Sequence, residues 1–119
     1  MNILIIDDES FVTDIYKCFL QKNHTVECFN NPLLALEYYN TCQNIDVIVV
    51  DFFMPNMRGD QFVEEIFKVN SKQKIIVVSG LLPEEFLDAF EKYDVKIPIL
   101  DKPIILSELE SEINSLVLS

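Results

Sequence analysis

Five short apolar runs, each closing on a polar residue, alternate with longer stretches whose apolar residues recur at helical spacing. That alternation predicts an α/β fold: a doubly wound parallel sheet with helices on both faces. A third observation concerns the polar residues that close the runs. Acids, a serine and a lysine stand at the carboxyl ends, the edge at which open α/β sheets take up ligands.

Taken in order, Ile3 to Ile6 is a buried strand that runs into Asp7-Asp8-Glu9. Ser10 is placed to cap a first helix carrying Phe11, Ile15, Cys18, Phe19 and Leu20 toward the core. His24 reads as a turn residue. Thr25-Val26-Glu27-Cys28-Phe29 alternates like an edge strand. Asn31 as cap and Pro32 at the first helical position open a second helix, with Leu33, Leu36 and Tyr39 or Leu34, Tyr38 and Cys42 on one face.

The third run, Val47-Ile48-Val49-Val50, ends in Asp51 before Phe52, Phe53, Met54, Pro55 and Gly59 turn the chain. A run apolar at every position is what a central parallel strand, covered on both faces, requires. A third helix follows from Asp60 with Phe62, Val63, Ile66, Phe67 and Val69. Lys74 to Val78 is the fourth strand. It ends in Ser79-Gly80, where the glycine is expected to admit a close neighbour.

Pro83-Glu84-Glu85 predicts a fourth helix through Phe86, Leu87, Ala89 and Phe90. Ile97-Pro98-Ile99-Leu100 is a short edge strand, since proline cannot donate to a central ladder, and it leads into Asp101-Lys102-Pro103. Ser107-Glu108-Leu109-Glu110 has capping-box spacing and starts a fifth helix with Leu109, Ile113, Leu116 and Val117 inward. Right-handed crossovers and the edge character of the second strand favour the flavodoxin-like order 2-1-3-4-5.

The 119 residues suffice for one core, and half of them are hydrophobic. Nine Lys and Arg against 20 Asp and Glu give a formal charge of −11, which repels nucleic acid and anionic membranes. Cys18, Cys28 and Cys42 lack metal-ligand spacing and read as reduced packing residues. Neither an export signal nor a membrane-spanning run is evident, so a cytoplasmic protein is expected.

Asp7, Asp8 and Asp51 gathered at one edge would repel one another unless a cation joined them. An oxygen-only ligand set without His or Cys favours Mg²⁺, which takes one or two carboxylates, keeps waters and binds phosphate. Lys102 offers a point charge to a phosphoryl oxygen and Ser79 a hydrogen bond. The set suits phosphoryl transfer, with Asp51 as the natural acceptor.

In order and spacing, Asp7-Asp8, Asp51 with Met54-Pro55 and Gly59, Ser79-Gly80 and Lys102-Pro103 resemble the receiver domain of two-component response regulators, including its chemotaxis members. The resemblance covers the whole chain, read as a single receiver domain over residues 1–119, and the strand order is that of the chemotaxis members. It implies a signalling switch or phosphorelay intermediate. A phosphohistidine of a sensor histidine kinase or phosphotransfer protein would donate to Asp51. Mg²⁺ would be held by Asp8, Asp51 and the backbone carbonyl of Phe53, with Asp7 acting through metal-bound water. Ser79 and Lys102 would contact the phosphoryl group, and the Lys102-Pro103 bond would be cis. Output would go to a downstream protein target from a monomer or weak dimer. Catalysis would be limited to the domain's own phosphorylation and dephosphorylation.

The sequence departs from the family pattern where a Tyr or Phe is usual three residues before the lysine, since Ile99 stands there. Tyr93-Asp94-Val95-Lys96 replaces the usual Gly-Ala pair. Phe53 and Leu81 put apolar side chains at loop positions expected to flank the phosphoryl group, which predicts shielding from water and slow self-dephosphorylation. Leu81, Leu82, Phe86, Ile97 and Ile99 are candidates for an apolar output patch, with Ile99, Leu81 and Phe86 carrying the switch. Three readings compete: a phosphorylation-independent interaction domain on the same scaffold, a receiver segment of a larger hybrid kinase or transcription factor, and a metal-dependent phosphohydrolase. The last commonly has an acid two residues after the nucleophile, where this chain has Phe53.

Overall fold

The computed structural model describes residues 1–41 and 44–118. Five parallel strands, β1 (Asn2–Ile6), β2 (Thr25–Phe29), β3 (Val47–Asp51), β4 (Lys74–Ser79) and β5 (Ile99–Asp101), form one sheet in the order β2-β1-β3-β4-β5. The helices are α1 (Ser10–Leu20), α2 (Pro32–Thr41), α3 (Gly59–Val69) and α4 (Leu106–Leu118). Alternation along the strands divides the core in two. Leu4, Ile6, Ile48, Val50, Ile75 and Val77 face α2 and α3 through Tyr39, Phe62 and Ile66. Ile3, Ile5, Val47, Val49, Ile76 and Val78 face α1 and α4 through Leu20, Leu109 and Ile113. The three central strands are therefore apolar at successive positions because both faces are covered.

Several expectations are met in detail. Asn31 Oδ1 accepts the Leu33 N–H at 2.9 Å, capping α2 with Pro32 in its first position. The fifth strand is at the sheet edge as expected but begins at Ile99, leaving Ile97 and Pro98 outside it, and the Pro98 carbonyl accepts the Val77 N–H at 2.9 Å. The Lys102-Pro103 bond is cis.

The predicted fourth helix is not formed. Residues 84–86 make one 3-10 turn, and the bonds that follow, from Leu87, Ala89, Glu91 and Tyr93, each reach back three residues. Glu84 and Asp88 would repel at helical spacing, as would Asp88 and Glu91, and a segment this short does not hold a helix by propensity alone. The acids that suggested a helix start thus weaken its continuation.

The first helix turns a different stripe inward. Thr13, Tyr16 and Leu20 are buried, while Phe11 is 73 % exposed and Ile15 and Cys18 also face outward. Apolar residues occupy two adjacent stripes of α1, and periodicity cannot choose between them. In α2, Pro32, Ala35 and Tyr39 are inward and Leu33 and Leu34 exposed; Cys42 lies outside the described residues. Val69 of α3 is likewise exposed.

Neither predicted serine cap is used. α1 begins after Glu9, and Ser107 lies inside α4, whose first amides bond to the Ile105 carbonyl. His24 does more than turn the chain, since its Nε2 lies 3.2 Å from Glu110 Oε2 on α4. Gly80 has open space where a Cβ would be, contrary to the close approach expected there. The glycine that admits a close neighbour is Gly59, whose Cβ would stand 2.9 Å from the Asp51 carbonyl oxygen and from Phe52 Cα.

Candidate functional site

The site is assembled by strand register. Ile6 pairs with Val50, Asp51 with Val78, and Ser79 with Asp101, so the next residue of each strand arrives at one edge. Asp7 continues β1, and its N–H donates to the Phe29 carbonyl at 3.1 Å. Its Oδ1 accepts the Glu9 N–H at 2.9 Å, which turns the chain into α1. Asp7 and Asp51 are buried and Asp8 is exposed, and one oxygen from each lies within 4.8 Å of the others. Behind Asp51, the Gly59 N–H bonds the Phe52 carbonyl at 2.6 Å, pinning the start of α3 against the end of β3.

Lys102 closes the cluster. Its Nζ is 3.1 Å from Asp51 Oδ1 and 3.6 Å from Asp7 Oδ2, while its N–H donates to the Ser79 carbonyl at 2.8 Å. Ser79 is 1 % exposed, and its Oγ has no hydrogen-bond partner among the described residues. A buried hydroxyl without a partner is costly.

Charge crowding shows in the titration behaviour. Burial, with the Asp7 charge next in weight, pushes the Asp51 carboxyl up to about 6 against the pull of Lys102. Asp7 is raised mainly by burial, opposed by the Glu9 N–H and Lys102. For Lys102 burial works downward, but its hydrogen bond to Asp51 and the two carboxylates carry it above the ordinary lysine value. One lysine does not neutralise three acids. Oxygen donors this close fit a hard divalent cation such as Mg²⁺, which relieves that repulsion.

The predicted set divides. Asp7, Asp8, Asp51 and Lys102 come together, with Ser79 tied to Lys102 through its backbone. The output candidates lie further out. Ile99 is 37 % exposed on β5, paired with Val77, and Leu81 is 91 % exposed, so Leu81 offers little shielding of the acids. Leu82, Phe86 and Ile97 pack against the core. Phe53 is 46 % exposed, and its ring meets Phe52 edge-on at 4.8 Å and Phe86 at 6.2 Å. The Arg58 guanidinium covers the other partner, 5.0 Å from the Phe86 ring centre, and is itself held by Asp60.

Sequence reasoning passed over Tyr16 and Asn30. Tyr16 lines a groove of about 570 Å³ with Lys102 and Pro103, and burial pushes its hydroxyl up to about 12, with Lys102 pulling downward. A tyrosine on the stripe beside Phe11 and Ile15 gave no cue that it would reach this edge. Asn30 donates to the Asp7 carbonyl from just beyond β2, and an isolated asparagine carries no periodic signal.

A parallel sheet in the order 2-1-3-4-5 with an acid cluster, a buried hydroxyl and a lysine along one carboxyl edge defines an α/β domain with its polar groups gathered where such sheets take up ligands. The chain belongs to the response regulator receiver domain family, whose model matches residues 3–114. It is 32 % identical over 82 residues to the chemotaxis protein CheY of Bacillus subtilis, covering 67 % of this chain and 68 % of that protein. It is 31 % identical over 85 residues to the putative two-component response regulator ARR13 of Arabidopsis thaliana, and that match spans 67 % of this chain but 15 % of the relative.

Among solved structures, the Francisella response regulator 1452 receiver domain superposes with a TM-score of 0.84 at 27 % identity, covering 98 % of this chain and 96 % of that one. The chemotaxis protein CheY4 of Vibrio cholerae shares the fold, with a TM-score of 0.87 at 21 % identity, 97 % of each chain being covered. Members of the family act as signalling switches of two-component systems rather than as metabolic enzymes. No helix among the described residues is long and apolar enough to cross a membrane.

Proposed function

We propose that this domain is a phosphorylation-activated switch or phosphorelay intermediate, with Asp51 as the residue that takes the phosphoryl group. Its donor is the phosphohistidine of a sensor histidine kinase or phosphotransfer protein. Its output is read by a downstream protein in the cytoplasm, and residues 1–119 act as one receiver domain. The observation that carries this reading is the conjunction at the strand ends: a buried Asp51 carboxylate tied to Lys102, beside a Ser79 hydroxyl with no partner.

Asp51 Oδ attacks phosphorus, the new O–P bond forms, and the P–N bond to the donor imidazole breaks, with the imidazole nitrogen taking up a proton. Asp51 must be ionised to attack, and a carboxyl raised to about 6 is ionised at neutral pH. Lys102, 3.1 Å from Asp51 Oδ1, moves its charge from the free carboxylate to a phosphoryl oxygen as the acid is esterified. Ser79 donates its hydrogen bond to another of those oxygens. Asp8, Asp51 and the Phe53 carbonyl would hold a Mg²⁺, with Asp7 supporting through water, and the ion would supply charge neutralisation there. The Phe53 ring limits water at the acyl phosphate, which slows the domain's own dephosphorylation.

The test is incubation with Mg²⁺ and acetyl phosphate, followed by intact mass measurement. Wild-type protein should gain one phosphate and Asp51→Asn none. Labelling that persists in Asp51→Asn would move the acceptor elsewhere.

A further inference from the structure

Asp7 and Asp8 share one peptide unit, and its orientation decides where the exposed Asp8 carboxylate points. The unit continues past the end of β1, so regular strand pairing stops there. The Asp7 N–H is held by the Phe29 carbonyl at 3.1 Å. The Asp7 carbonyl, half of the peptide that carries Asp8, is held by a side chain: Asn30 Nδ2 donates to it at 2.8 Å. The same nitrogen donates to Thr13 Oγ1 at 3.1 Å, and Thr13 Oγ1 donates onward to the Ser10 carbonyl at 3.0 Å. Thr13 is buried on α1. One amide group therefore ties the end of β2, the acid pair and the first turn of α1 together.

The direction of these bonds is set by chemistry. A carbonyl only accepts, and the Thr13 hydroxyl proton is already committed to Ser10, so both bonds require a donor at this point. Asparagine supplies two N–H groups from one atom. Aspartate, of the same shape, supplies none.

We propose that Asn30 is a positioning residue for the acid pair, setting the affinity of the site for its divalent cation by fixing the Asp7-Asp8 peptide. The inference rests on the receiver chemistry proposed above and adds a residue outside the strand-end set. Groups one step behind metal ligands change affinity by holding the ligands in place.

Calorimetric titration of the full chain with Mg²⁺, in the absence of any phosphodonor, tests it. Asn30→Ala should weaken binding about tenfold. Thr13→Val, which keeps the shape and removes one acceptor, should weaken it by a smaller factor and serves if Asn30→Ala folds poorly. Asn30→Asp is the decisive variant. An added negative charge near the site would by itself strengthen cation binding, whereas loss of the two donors disorders the acid pair and weakens it. His24→Ala cuts the separate tie between the α1–β2 turn and Glu110 of α4 and should leave Mg²⁺ affinity unchanged.

Unchanged or tighter Mg²⁺ binding in Asn30→Asp would overturn the inference, as would equal weakening in His24→Ala. Wild-type protein that takes up no Mg²⁺ would overturn the receiver chemistry and the inference with it. Normal wild-type binding with unaffected Asn30 variants would overturn the inference alone.

Discussion

The carboxyl ends of β1 and β3 and the segment that follows β4 border the same site, yet they are held in different ways. Around Asp7 and Asp51 the backbone is fixed from several elements at once: Phe29 and Asn30 bond to Asp7, and Gly59 bonds across to Phe52. After Ser79, residues 80–96 are held by single turns reaching back three residues, and the chain returns to the sheet through a β5 of three residues. Segments with few long-range backbone bonds open at lower free energy than core strands. The acid cluster thus lies on the firmly held side and residues 80–96 on the loosely held side. Lys102 connects the two, with its side chain on Asp51 and its backbone on Ser79.

The largest expected effect comes from disturbing the firm side. Phe52 is fully buried beneath Phe53, Phe86 and Phe90. Phe52→Ala should cost about 3–5 kcal/mol in denaturant unfolding. Gly59→Ala should follow at about 1–3 kcal/mol, since its Cβ meets backbone atoms that cannot move aside. Neutral behaviour of either variant would mean that the end of β3 is less firmly seated than its contacts indicate.

Next comes charge. Burial and the neighbouring Asp7 charge raise the Asp51 carboxyl from the ordinary aspartate value to about 6 in the folded chain, so the native state holds this proton more tightly than the unfolded chain does. The contribution is fully present below about pH 4 and is lost as pH rises through about 6. Without Mg²⁺, wild-type stability should therefore fall across that window. Asp51→Asn should be more stable by about 3 kcal/mol at pH 7.5, with the gain vanishing toward pH 4. Added Mg²⁺ should raise the melting temperature of wild type more than that of Asp51→Asn, by preferential binding to the folded state. Denaturant melts across pH check both, and a pH-independent difference would contradict the burial and crowding assigned to Asp51.

The smallest effect sharpens the loose side. Arg58→Ala removes a cation over the Phe86 ring and should lower stability only slightly in denaturant unfolding. Hydrogen exchange should show residues 80–96 exchanging well before β1, β3 and β4, with Arg58→Ala speeding exchange there and nowhere else. Uniform protection across both regions would erase the distinction between them.

The same contrast explains what could be read from the residues alone. Central parallel strands announce themselves because burial on both faces demands unbroken runs such as Val47 to Val50. Asp51, Ser79 and Lys102 stand out because each interrupts or follows such a run. The loose side was misjudged because Glu84 and Glu85 suit a helix start while Asp88 and Glu91 oppose its extension. The inward stripe of α1 was missed because Phe11, Ile15 and Cys18 have the same spacing as Thr13, Tyr16 and Leu20. Asn30 and Thr13 act through directed hydrogen bonds between segments distant in sequence, which leave no pattern to detect. Ile99, exposed on β5, has no ring to swing, and the aromatic contacts that follow Asp51 in the chain join Phe52, Phe53 and Phe86.

The most direct measurement of the central claim is intact mass spectrometry of wild type and Asp51→Asn after exposure to Mg²⁺ with acetyl phosphate, and separately with a phosphohistidine donor. Wild type should gain a single phosphate that requires Mg²⁺, maps to Asp51 and is absent from the variant. Folded wild-type protein that gains no phosphate from either donor would contradict the account.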